Sequence, residues 1–180
     1  MGWIFPVAPV GDRKPVLSSA WRSADRPDHT GVDIMFRRMD EDPPWPGHDT
    51  TEGTRRFVYL AGALAIAARA GRVVYAKEHT NGLRVRLAHD DGLDTLYIHL
   101  ATIAVVPGQD VEAGQVVGMV GGDPSSGPGT KHLHFEVRER STNQDLDPER
   151  YLVGSAIVPA LTGLALFGGL MFTWALFGGP

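Results

Sequence analysis

Leu83-Arg84-Val85-Arg86-Leu87 alternates strictly between apolar and polar positions, and so does the stretch His132-Leu133-His134-Phe135-Glu136-Val137. Successive side chains of a strand point to opposite faces, so a period of two predicts half-buried strands in both places. His89-Asp90-Asp91-Gly92 is a hairpin turn of the Asp-Gly type. It leads into the partner strand Leu93-Asp94-Thr95-Leu96-Tyr97-Ile98-His99-Leu100, on which Tyr97 and His99 are expected to share a face. Residues 61–70 are alanine-rich and would pass for a helix by propensity. Gly71 followed by Arg72-Val73-Val74-Tyr75-Ala76 favours strand-turn-strand instead. Residues 103–120 are short apolar runs separated by Pro107-Gly108 and Ala113-Gly114, as in an all-β sheet or barrel. Residues 3–10, interrupted by Pro6 and Pro9, suit an edge or entry segment, and residues 11–23 read as loop. The pattern predicts a mainly β protein: an antiparallel sheet or barrel-like core.

Two stretches break the pattern. Residues 37–57 are polar and rich in Pro, Asp and Arg, which reads as a long irregular loop; Trp45 and His48 are its candidates for ligand contact, against a simple solvated insertion. From residue 152 to 180 there is no charged residue. This divides the chain into a globular part, 1–152, with 37–57 inserted, and an apolar segment, 153–180. The first residues lack a basic stretch followed by an apolar one, so they are not expected to be a secretory signal.

With 180 residues the chain can bury one real core. A net charge of −4 gives no basic excess for phosphates, so direct nucleic-acid binding is not expected. There is no cysteine, which excludes disulfides and thiolate metal sites and leaves His, Asp and Glu as possible metal ligands.

The candidate chemistry lies on the predicted strands. Leu133, Phe135 and Val137 form a core face, and His132, His134 and Glu136 form the other. The two imidazoles stand about 7 Å apart along that face, near enough for one to bind a metal while the other moves a proton. An isolated pair of this kind is as often a surface residue and a satisfied core group. His29 and Asp33, four apart, fall on one face of an extended chain, and Gly31 between them allows a bend or a close approach. They are ligand types that zinc accepts, although alone they read as a surface pair.

Taken in order, His29-Thr30-Gly31-Val32-Asp33, Tyr97-Ile98-His99-Leu100, Val111-Glu112-Ala113-Gly114-Gln115-Val116-Val117-Gly118 and His132-Leu133-His134-Phe135-Glu136-Val137 resemble the lysostaphin-type, or LytM-like, zinc endopeptidases. Asp147-Pro148-Glu149-Arg150-Tyr151-Leu152 looks like the end of that domain. The resemblance implies zinc held by His29, Asp33 and His134, with water in the fourth position. It also implies His99 and His132 as an unligated catalytic pair, and Glu136 as a supporting group. The implied activity is endopeptidase cleavage of peptidoglycan cross-link peptides. Non-catalytic members that act as scaffolds are expected to have lost ligands, and here none is missing. Residues 37–57 depart from the family pattern.

Residues 159–177 would form a helix of about 29 Å, near the thickness of a bilayer core. They read as a C-terminal apolar helix, either inserted in a membrane or buried in a partner protein. With no signal to carry the enzyme to the wall, the reading adopted is a phage tail-associated hydrolase that aids DNA entry, with tail or injection-apparatus proteins as partners. The alternatives are a scaffold, a structural tail-tip component and a membrane-anchored remodelling peptidase.

Overall fold

The computed structural model describes residues 2–38, 62–122, 131–152 and 155. Their strands are β1 (Arg13–Ser19), β2 (Val32–Arg38), β3 (Leu64–Ile66), β4 (Gly71–His79), β5 (Gly82–Ala88), β6 (Leu93–Ile103), β7 (Asp110–Val111), β8 (Val116–Val120), β9 (Leu133–Glu139) and β10 (Asp145–Leu146). One short helix, α1 (Glu149–Leu152), follows. Every pairing is antiparallel.

The sheet runs β1-β2-β9-β6-β5-β4-β7. It does not close on itself, so the expected barrel is an open sheet with a branch. The branch follows from the length of β6. Its first part, 93–98, pairs with β9, while Leu100–Ile103 pairs on with β8, which in turn carries β3. β6 thus changes partner at His99.

The core packs on one face of this sheet. Val32, Ile34, Leu133, Phe135, Val137, Val85, Leu87 and Tyr97 are all fully buried. Leu133, Phe135 and Val137 take the core face as their alternation predicts. Of the alanine-rich stretch 61–70, the described residues 62–70 contain β3 and then bends, with no helix.

The expected loop at 11–23 is in part β1. Arg13-Lys14-Pro15-Val16-Leu17-Ser18-Ser19 lacks a clean alternation because Lys14, Val16 and Leu17 are all buried. Pro15 is tolerated because β1 is the edge of the sheet. Residues 3–10 join the sheet through the bridges Val7 to Ala65 and Val10 to Arg13, and through backbone hydrogen bonds from the Ile4 N–H to the Ala68 carbonyl and from the Ile66 N–H to the Pro6 carbonyl, both 2.8 Å. Trp45 and His48, most of the 37–57 loop and the helix expected over 159–177 lie outside the described residues. Among the described residues no helix is long and apolar enough to cross a membrane.

Candidate metal centre

Asp33 on β2 and His134 on β9 are direct cross-strand partners. Directly opposed residues share a face, with Cβ atoms about 5 Å apart, so register alone brings these two side chains together. His29 precedes β2 and reaches the same point because the chain bends at Gly31. A Cβ at position 31 would overlap the Phe135 carbonyl oxygen and stand 2.8 Å from His134 Nε2. The glycine is needed for close approach, as its place in the motif suggested.

Three donor atoms converge. His29 Nε2 lies 3.1 Å from Asp33 Oδ1 and 3.1 Å from His134 Nδ1, and the latter lies 2.9 Å from Asp33 Oδ1. All three residues are buried. Bonds of about 2.0–2.2 Å, the usual lengths from zinc to these atoms, reach all three from one point.

The outer partners set the ring chemistry. His29 Nδ1 donates to the Ala20 carbonyl at 2.7 Å. His134 Nε2 donates to Glu136 Oε1 at 3.2 Å. In the neutral rings these bonds leave the lone pairs of His29 Nε2 and His134 Nδ1 aimed at the same place, an arrangement typical of metal-binding histidines. Glu136 is held by Thr30 Oγ1 at 2.7 Å and Arg138 Nε at 2.6 Å. The second Asp33 oxygen accepts from Arg26 Nη1 at 2.5 Å.

The cluster favours positive charge. Burial opposes the charged form of His134, but hydrogen bonds with Asp33 and Glu136 outweigh it and push the ring up to about 9. Burial would raise the Asp33 carboxyl, yet its bonds with His134 and His29 hold it well below the usual carboxylate range. Glu136 is likewise brought down to about 2, against its burial, by His134, Arg138 and Thr30. Two imidazole lone pairs and a carboxylate on one buried point fit a divalent cation.

His99 and His132 stand beside the cluster. Their rings are 4.8 Å apart, and the His99 ring is 5.8 Å from that of His134. His132 Nε2 is 3.6 Å from Asp33 Oδ1. His99 Nδ1 donates to the Asn81 carbonyl at 2.7 Å, which leaves the lone pair on Nε2.

The expectation that Tyr97 and His99 share a face is corrected. Tyr97 points into the core, where its hydroxyl accepts from the Ala68 N–H at 2.7 Å. His99 lines the site groove beside Leu96 and Ile98. The pairing with β5 slips between Leu83 and Val85, opposite 97–100, and His99 has φ 65°. A bulge of this kind turns a side chain to the other face of the sheet.

The sequence reading missed Ala20, Arg26, Thr30 and Asn81. Thr30 sits inside the recognised motif, but the other three reach the site through turns and carry no periodic signal.

A groove of about 490 Å³ passes the cluster, lined by His99, His134, Glu136, Tyr75, Asn81 and several arginines. The model of peptidase family M23 matches residues 53–148. Outer membrane antigenic lipoprotein B of Haemophilus influenzae is 35% identical over 111 residues, covering 59% of this chain and 26% of that protein. The murein hydrolase activator NlpD of Escherichia coli is 34% identical over 107 residues, covering 57% and 27%. The catalytic domain of lysostaphin from Staphylococcus simulans has a similar fold, with TM-score 0.53 and 23% identity over 78% of this chain and 92% of that one. The chain spans only about a quarter of the length of these two curated relatives. Their names overturn the virion-tail location expected from the apolar segment: they are an outer-membrane lipoprotein and an activator of murein hydrolases. An uncharged tail has no feature that separates a phage particle from a cell envelope. With more than half of its length matched, and with that fold, the chain belongs to peptidase family M23.

Proposed function

We propose that the chain is a zinc-dependent endopeptidase acting on the peptide cross-links of peptidoglycan in the bacterial envelope. The observation that carries this reading is the triangle of His29 Nε2, Asp33 Oδ1 and His134 Nδ1, with sides of 2.9–3.1 Å and both ring tautomers set from outside. These three residues would hold zinc, with one carboxylate leaving a net charge of +1. When bound, zinc supplies a Lewis acid that polarises a carbonyl and makes water more acidic.

The remaining work falls to the two other histidines. His99, fixed by Asn81, presents Nε2 as the acceptor for the proton of the attacking water. His132, whose ring is 4.8 Å from that of His99, stabilises the developing oxyanion or returns a proton to the leaving amine. Thr30 and Arg138 keep Glu136 in place, and Glu136 keeps the His134 ring turned inward. The open groove accommodates an extended peptide. The test is zinc content together with cleavage of peptidoglycan peptides by the wild-type, His134→Ala and His99→Ala proteins. Cleavage unaffected by either change overturns the reading.

A second reading has its own support in the similarity to a murein hydrolase activator. In it the groove receives another wall enzyme or its substrate without cutting. Stimulation of a murein hydrolase that persists in His134→Ala, with no cleavage by the wild type, selects this reading.

A further inference from the structure

The groove is basic although the chain is acidic overall, with a net charge of −4. Arg26, Arg84, Arg86 and Arg138 line it, with Glu136 the one acidic lining residue among those described. Three of these guanidinium groups already face carboxylates. Arg26 is 2.5 Å from Asp33, Arg86 is 2.6 Å from Asp94 and Arg138 is 2.6 Å from Glu136. Arg84 differs. Its Nε and Nη2 donate to the amide oxygen of Asn81 at 3.1 and 2.6 Å, and among the described residues it forms no ion pair.

Its position follows from register. Arg84 lies on β5 between Leu83, which pairs with Leu100, and Val85, which pairs with Tyr97. It therefore sits opposite the bulge that carries His99. Asn81 holds both groups, taking the His99 ring on its carbonyl and Arg84 on its side chain. A cation whose charge is met only by a neutral amide keeps its attraction for an anion, and a partly enclosed groove strengthens it. With Nε and one Nη2 hydrogen given to Asn81, the Nη1–Nη2 edge of the guanidinium is the fork that matches a carboxylate with two parallel hydrogen bonds.

We propose that Arg84 determines specificity by receiving a carboxylate of the peptide, so that the groove selects an acidic peptide over a neutral one. The assignment takes its peptide from the endopeptidase reading, but it concerns binding and can be tested apart from cleavage.

The experiment uses the full zinc-loaded chain. Its probes are dansyl-labelled alanyl-glutamyl-lysyl-alanine and the same peptide with both carboxylates amidated. Fluorescence anisotropy gives affinity, and cleavage of each peptide is followed in parallel. The acidic peptide is expected to bind about tenfold more tightly, the scale of one charge-assisted pair. Arg84→Gln should abolish that preference while leaving the affinity for the amidated peptide unchanged, and Arg84→Lys should keep only part of it. A wild type with no preference overturns the proposal, as does an Arg84→Gln protein that keeps it. Equal weakening toward both peptides also overturns it, because that is the signature of a residue that merely holds the Asn81 turn; should Arg84→Gln fail to fold, the Arg84→Lys comparison decides. Preference without cleavage leaves the proposal standing, and cleavage of cross-linked peptidoglycan peptides by the same protein then decides the peptidase reading separately. Cleavage of both peptides without preference overturns the proposal and leaves the peptidase reading standing.

Discussion

His89 and His134 are both buried, and both have each ring nitrogen in a hydrogen bond, yet the protein treats them in opposite ways. His89 Nδ1 donates to the Ala70 carbonyl at 2.9 Å, and its Nε2 accepts from the Thr95 hydroxyl at 2.9 Å. Its partners are neutral, and burial lowers its pKa below the ordinary value. His134 faces Asp33 and Glu136 and is raised to about 9. Around His89 the structure is closed. The ring of Trp3 packs edge-on at 5.9 Å with Tyr151 beyond it, and a Cβ at Gly71 would come within 2.8 Å of His89 Nδ1. Around His134 the structure opens into the groove. Burial by itself does not make a histidine functional. The charge of its partners and the direction of its lone pair do.

This contrast can be broken or sharpened by experiment. The largest effect is expected from removing a ligand. His134→Ala should bring zinc content, read by atomic absorption, close to zero and cleavage below detection, while His89→Ala should leave zinc content unchanged below its melting temperature. Loss of zinc in both variants would erase the distinction. Next comes the outer partner: Glu136→Gln should weaken zinc binding about 10–100-fold in a chelator competition, because the His134 ring loses its charged anchor.

Stability should then separate the two regions. His89→Ala should lower unfolding free energy by about 2–3 kcal/mol in denaturant titration, through the lost packing and the orphaned Ala70 carbonyl. The pH dependence should carry opposite signs. His89 binds its proton more weakly in the folded state, so its contribution is present above its unfolded pKa of about 6.5 and is lost as pH falls below it. His134 binds its proton more tightly. In chelated protein its contribution, up to about 3 kcal/mol, is present below pH 6.5 and fades as pH rises through about 9. Melting curves from pH 5 to 10 should show a low-pH loss that His89→Gln removes and a high-pH loss that His134→Gln removes. The same slope in both variants would show that neither ring governs it.

Local signals along the chain placed parts of the candidate site on strands, while the grouping of His29, Asp33 and His134 came from the resemblance of the ordered motifs to a family. Leu133, Phe135 and Val137 inside, with His134 and Glu136 opposite, follow from a period of two. Gly31 between His29 and Asp33 marked a close approach. His89 shows the limit, since as part of the turn His89-Asp90-Asp91-Gly92 it carries no sign of being a core residue. β1 was missed because its edge strand is buried on both faces and lacks alternation.

By itself the sequence determined the antiparallel β character, the two-faced strand at 133–137, and that any metal ligand must be His, Asp or Glu, since there is no cysteine. Only the tertiary structure decided that β6 changes partner at His99, that a bulge turns this histidine to the groove face while Tyr97 stays in the core, and that Arg84 is left facing an amide. Alternation is a property of neighbouring residues, whereas register, bulges and charge pairing depend on strands that meet only after the chain has folded.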